Sequence, residues 1–150
     1  MAVRPMSSRK RRTAKPAKRA RASGGAARQA KSPHFLDVFY AIHAMLETLA
    51  PQLTTVTDRP GNYYLNTTKI GENDKPVFFA AVQIKKNYVS YHLFPISLNP
   101  MLIANISPAL RKHLSGKACF NFTEPDAMLL TELAVLTLTG FRDFEKKGLL

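Results

Sequence analysis

Residues 107–122, SPALRKHLSGKACFNF, gather a histidine, a Gly-Lys pair and the only cysteine of the chain into one short stretch. Three kinds of chemistry use such residues. A phosphate loop needs Gly-x-x-x-x-Gly-Lys-Ser/Thr between a strand and a helix, so that backbone N–H groups and the helix N-terminus cradle the anion. Gly116 and Lys117 fit the end of that pattern. Arg111, however, stands at the first glycine position, Ala118 replaces the hydroxyl, and the order runs helix then strand. A cysteine nucleophile needs an accessible thiolate and a positioned base. His113 is six residues before Cys119 across a turn, and no third group that would orient its ring is evident. A metal site needs spaced ligands, and His34, His43, His92, His113 and Cys119 form neither His-x-x-His nor Cys-x-x-Cys. The paired carboxylates Glu72/Asp74 and Glu124/Asp126 fall where turn and helix-start preferences already account for them. The stretch therefore reads as a helix, a glycine stop at Gly116 in left-handed geometry, and a strand with Ala118, Phe120 and Phe122 on one face. No catalytic residue and no cofactor are expected, and the chain reads as non-enzymatic.

The elements that carry these residues follow from periodicity. In SPHFLDVFYAIHAMLETLAP, Ser32 serves as N-cap and Pro33 suits the first helical turn. Phe35, Leu36, Phe39, Ile42, Leu46 and Leu49 recur at helical spacing until Pro51, and His43 falls one residue beyond that stripe. Short β-branched and aromatic runs follow: QLTTVT, YYLNTTKI, VFFAAVQI and YVSYHLFP, separated by DRPGN, GENDKP and KKN. Such short polar connections join antiparallel neighbours and cannot house parallel crossovers. VFFAAVQI is apolar almost throughout and reads as a central strand. In the next strand Val89, Tyr91 and Leu93 alternate with Tyr88, Ser90, His92 and Phe94, so one face is largely apolar and the other mixes polar and aromatic groups. Asn99-Pro100 and Ser107-Pro108 begin two short helical pieces, and ACFNF is a fifth strand. A closing helix starts near Thr123 to Asp126 with a Thr-x-x-Asp near-capping box. Met128, Leu129, Leu133, Leu136, Leu138 and Phe141 supply its apolar face, and Lys146 and Lys147 lie near its negative end. The sum is an α+β fold: an antiparallel sheet of about five strands with N- and C-terminal helices packed on one face.

Charge divides the chain. Eleven of the twenty-two Lys/Arg fall within residues 1–32 with no acid among them, so the net charge of +12 resolves into +11 on this arm and +1 on residues 33–150. The arm has no aromatic and almost no large aliphatic residue, which predicts a disordered basic extension. It suits a solubilising tail, or a sequence-independent grip on nucleic acid through Arg9, Lys10, Arg11, Arg12, Lys15, Lys18, Arg19 and Arg21, each neutralised phosphate releasing counterions. With no aromatic interleaved, base-specific reading by the arm is not indicated. RKRR and AKRAR also suit nuclear import, whereas an organellar transit peptide would need an apolar face that is missing. A lone cysteine, no apolar run of roughly 18 residues and no apolar segment after the N-terminal charges lead us to expect an intracellular, cytoplasmic protein without a membrane partner.

KKNYVSYHLFP, LRKHLSGKACFNF and LLTELAVLTLTGFRDFEKKGLL together resemble the YdhG-like family, a small bacterial domain of unknown function, over about residues 35–148. The resemblance implies an α+β fold with an antiparallel sheet and carries no catalytic residues. Some relatives are described as frataxin-like iron chaperones, so iron binding through acidic side chains is the alternative reading it brings. In this chain the first helix offers Asp37 and Glu47, and Glu124, Asp126 and Glu132 are the further candidates. The preferred expectation is a non-enzymatic binding or accessory domain with a cationic arm for nucleic acid. A small-ligand surface would use Tyr88, His92, His113 and Lys117 as an anion-tolerant patch.

Overall fold

The computed structural model describes residues 33–150; the expectations for the basic arm lie outside that range. The body opens with α1 (Pro33–Glu47). Val38, Phe39, Ile42 and Leu46 recur at helical spacing and are buried, which turns one stripe of α1 into the core. Leu36 falls off that stripe and is exposed. The helix stops before Pro51, which instead sits in a short 3-10 turn, Ala50–Gln52.

Four strands follow as consecutive antiparallel neighbours: β1 (Thr54–Arg59), β2 (Asn62–Ile70), β3 (Pro76–Ile84) and β4 (Val89–Leu93). The first hairpin is tighter than its turn-rich sequence predicts. Only Pro60 and Gly61 form the turn, while Asp58, Arg59 and Asn62 join the ladder. After β4 come α2 (Pro95–Leu98), a 3-10 turn (Pro100–Ile103) and α3 (Pro108–Arg111). Asn99 and Ser107 cap the last two as expected, accepting hydrogen bonds from the Met101 and Leu110 backbone N–H groups. The helix at Pro95 is an addition to the two short pieces read from sequence.

The sheet has six strands rather than about five, in the order β1-β2-β3-β4-β6-β5. The extra strand, β5 (Leu114–Ser115), forms a minimal hairpin with β6 (Cys119–Phe122). Gly116, at φ +71°, therefore shapes a β-turn and does not terminate a helix, since α3 has already ended at Arg111. The closing helix, α4 (Ala127–Lys146), begins later than the near-capping box suggests. Asp126 is its N-cap, and its carboxylate accepts from the Met128 and Leu129 N–H groups.

The α1 and α4 helices cover one face of the sheet. His43 of α1 lies over Tyr63, with ring centroids 4.0 Å apart. The Tyr91 hydroxyl donates to Thr137 of α4 at 2.7 Å, and Thr137 in turn donates to the Leu133 carbonyl, so both buried hydroxyls are satisfied. Phe79 meets Phe141 and Phe144 of α4 edge-on. Gly140 allows the close approach of α4 to the start of α2, because a Cβ there would stand 3.1 Å from that of Pro95. Two members of the expected apolar face of α4 do not serve the core: Met128 is 83% exposed and Leu138 is exposed. No helix among the described residues is long and apolar enough to cross a membrane.

Candidate functional site: the uncovered face of the sheet

Alternation sends every second residue of a strand away from the helices, and no described element covers that second face. The ladder arranges it in rows. Arg59, Asn62, Gln83, Ser90 and Asn121 stand side by side across five strands. The next row is Thr57, Tyr64, Ala81, His92 and Cys119. A depression of about 430 Å³ lies over both rows, lined by Tyr64, Phe78, Ala81, Gln83, Lys85, Ser90, His92 and Cys119.

A bulge creates the aromatic part of this face. Leu65 pairs with Ala80 but its neighbour Asn66 pairs with Phe78, so Phe79 is the extra residue of β3. The local kink turns Phe79 into the core at 0% exposure. Phe78 is left on the open side against Tyr64, with centroids 4.8 Å apart and planes tilted by 30°. Phe94 extends the cluster 5.9 Å beyond Phe78. Gln83 donates to the Asn62 side chain at 3.1 Å, which orders the amide row beside the rings.

Cys119 does meet a histidine, but it is His92 of the neighbouring strand and not His113. The Cys119 Sγ and His92 Nδ1 atoms lie 3.2 Å apart. Burial pushes the Cys119 thiol up, against a smaller downward pull from the Lys85 charge, and burial pushes the His92 imidazole down. Both shifts favour neutral partners, with the thiol donating to Nδ1 because sulfur is a weak acceptor. The far nitrogen, His92 Nε2, is buried and has no hydrogen-bond partner among the described residues. A nucleophilic pair needs thiolate character and a third group that orients the ring; this pair has neither.

The sign of the His92 shift sets a pH dependence. The unfolded chain takes up a proton at the ordinary histidine value near 6.5, whereas the folded chain resists it until lower pH. Stability is therefore full above about pH 6.5 and is lost as pH falls toward the lowered folded value. Urea unfolding between pH 7.5 and 5.5 should show this decline, and His92→Gln should flatten it. An equally steep decline in the variant would assign the effect elsewhere.

The four residues expected to form one ligand patch are not brought together. Tyr88 lies in the β3–β4 turn and Lys117 in the β5–β6 turn, which the β4–β6 pairing places at opposite ends of β4, on the order of 20 Å apart along the strand. The His113 Nδ1 atom is 2.8 Å from the Asn121 carbonyl oxygen, and its ring stacks on buried Phe122, which belongs to the helix-covered side. Of the four, His92 alone lines the depression. Tyr64, Phe78 and Gln83, which the sequence did not single out, surround it instead.

Several of the carboxylates have structural partners, although Asp37 and Glu124 make no side-chain hydrogen bond or ion pair among the described residues. His43 Nε2 donates to Asp58 at 2.9 Å. Asp126 caps α4. Glu132 accepts from both the N–H and the hydroxyl of Ser107. Hydrogen bonds from Lys147 and Asn99 hold the Asp143 carboxyl below its usual range despite partial burial. Among the described residues no three His, Cys, Asp or Glu side chains converge on a common point. A larger recess of about 510 Å³ beyond Phe78 is lined mainly by apolar side chains, and its two charges, Glu72 and Lys75, belong to the exposed β2–β3 turn.

No family model, curated protein or solved structure matches the chain.

Proposed function

We propose that this chain is a non-catalytic binding domain of the YdhG-like type that is held to nucleic acid by its cationic arm. The observation that carries the reading is the charge division: +11 within residues 1–32 against a nearly neutral body. A sheet whose second face no described element covers supports the binding half of the proposal, because that face offers aromatic and amide groups and, among the described residues, no assembled catalytic set. The lone thiol fits a reducing compartment, and we place the protein in the cytoplasm on that ground. Ferrous-iron delivery has less support, since Asp126 and Glu132 are already engaged in holding α4 and its neighbours.

Electrostatic binding makes a quantitative demand. If six or more arm cations neutralise phosphates, duplex affinity falls by about a thousandfold between 50 and 200 mM salt. A full-length variant with Arg9, Lys10, Arg11, Arg12, Lys15, Lys18, Arg19 and Arg21 replaced by glutamine should lose most of that binding and most of the slope. Duplex binding that survives these eight changes, or that ignores salt, refutes the arm.

A further inference from the structure

We propose that the uncovered face of the sheet is a platform for single-stranded nucleic acid, on which bases stack against Tyr64 and Phe78 while the backbone runs past Lys85 and Arg59. The inference rests on the reading of the arm as a nucleic-acid grip and assigns the folded body a share of the same ligand.

Three features of the face converge on this occupant. The Tyr64 and Phe78 rings, on the neighbouring strands β2 and β3, lie 4.8 Å apart and only 30° from parallel, so they stack on one another as a two-ring slab that a base can extend. Unstacked bases present flat π-faces to such a slab, and every base has one, so the contact suits single strands of any sequence. Beside the slab lies the amide and hydroxyl row of Asn62, Gln83 and Ser90, which can donate to or accept from base edges. Among the described residues, the two buried side-chain atoms without a partner, Asn66 Oδ1 and His92 Nε2, both belong to strand positions on this side, just beneath the face.

Charge complementarity selects an anion. Lys85 lines the depression, and Arg59 stands on the same face opposite Asn62. The acids are elsewhere. Asp58 turns to His43 on the helix side, Glu72 and Asp74 stay in the β2–β3 turn, and the others belong to α1, α4 or the segment before it. Apart from Glu72 at the recess beyond Phe78, a body of net charge +1 thus keeps its negative charge off this face and leaves cations on it. A second copy of the chain is a poorer occupant, since like charges and the polar amide row would face each other across the contact. A duplex is poorer as well, because its bases are already stacked and paired.

The test uses the full chain with a labelled oligothymidylate and a duplex of equal length, followed by fluorescence anisotropy at 150 mM salt. The single strand should bind more tightly than the duplex. Tyr64→Ala and Phe78→Ala should each weaken single-strand binding between about fivefold and a hundredfold, with duplex affinity and its salt slope unchanged. Tyr64→Phe should bind as the parent does. Lys85→Glu alters an exposed side chain without touching the core, and should also weaken the single-strand complex if either alanine variant fails to fold. Unaltered single-strand affinity in these variants, or a parent that prefers duplex, overturns the platform while leaving the arm intact. Failure of the parent to bind either oligonucleotide overturns both readings. A parent dimer that Tyr64→Ala or Phe78→Ala converts to monomer in sedimentation would instead make this face a self-association surface.

Discussion

Phe79→Ala is expected to destabilise the fold by about 3–5 kcal/mol, lowering the melting temperature by roughly 10–20 °C. The side chain is fully buried and packs edge-on against Phe141 and Phe144, so its removal leaves a cavity between sheet and helix that neither rigid neighbour can fill. Its neighbour makes the expectation specific. Phe78 carries the same side chain one position earlier, yet the bulge leaves it half-buried on the open face. Phe78→Ala should cost only about 1–2 kcal/mol, while acting on ligand binding as described above. In a regular strand, adjacent residues also face opposite ways, but Phe79 would then share a side with Ala81 and Gln83 and point away from the helices. A large loss for Phe79→Ala with a small one for Phe78→Ala, read by urea and thermal unfolding, is therefore a direct test of the bulge. Equal losses would mean that the register is regular and that the aromatic slab does not exist in this form.

The same bulge marks where sequence reading stopped. VFFAAVQI is apolar nearly throughout, so it identifies a central strand but gives no period from which to assign faces. The strand beside it was legible because Val89, Tyr91 and Leu93 alternate with polar partners, and all three are buried as that alternation predicts. Proline-led short helices were legible at Asn99 and Ser107 for a local reason, the side-chain cap. β5 was not, since two residues carry no periodicity and form a strand only because β6 is there to pair with.

The Cys119–His92 contact lay further out of reach. Sequence proximity favoured His113, but strand alternation points His92 away from Tyr91 and Cys119 away from Phe120, toward the open side in both cases. What the sequence lacked was the fact that β4 and β6 are neighbours with His92 opposite Cys119, a register settled by packing between residues 27 positions apart. The surplus residues of α4 had a readable signal. Leu129, Leu133, Leu136, Gly140 and Phe144 trace one stripe at helical spacing, and Met128 and Leu138 fall outside it, so helical angle and not apolar character decides which residues are buried.

Glu132→Ala is expected to cost about 2–3 kcal/mol, the usual worth of hydrogen bonds to a charged group that leave a donor unmet when lost. The carboxylate accepts from the Ser107 N–H at 2.6 Å and from the Ser107 hydroxyl at 2.7 Å. The same hydroxyl oxygen caps α3 by accepting from the Leu110 N–H at 3.1 Å. One acidic side chain of α4 thus fixes both the position and the cap of a four-residue helix that has little stability of its own. Glu132→Gln should lose less, because its carbonyl oxygen still accepts one of the two bonds. Ser107→Ala combined with Glu132→Ala should cost less than the sum of the single changes, since each removes the other's partner. Urea midpoints supply all four numbers, and a Glu132→Ala change within about 0.5 kcal/mol of the parent would show that the pairing contributes nothing. The series also separates the two readings of the acidic residues. A carboxylate that serves the fold loses stability on substitution equally with and without ferrous iron, whereas one that holds the metal would show a difference that grows when iron is added.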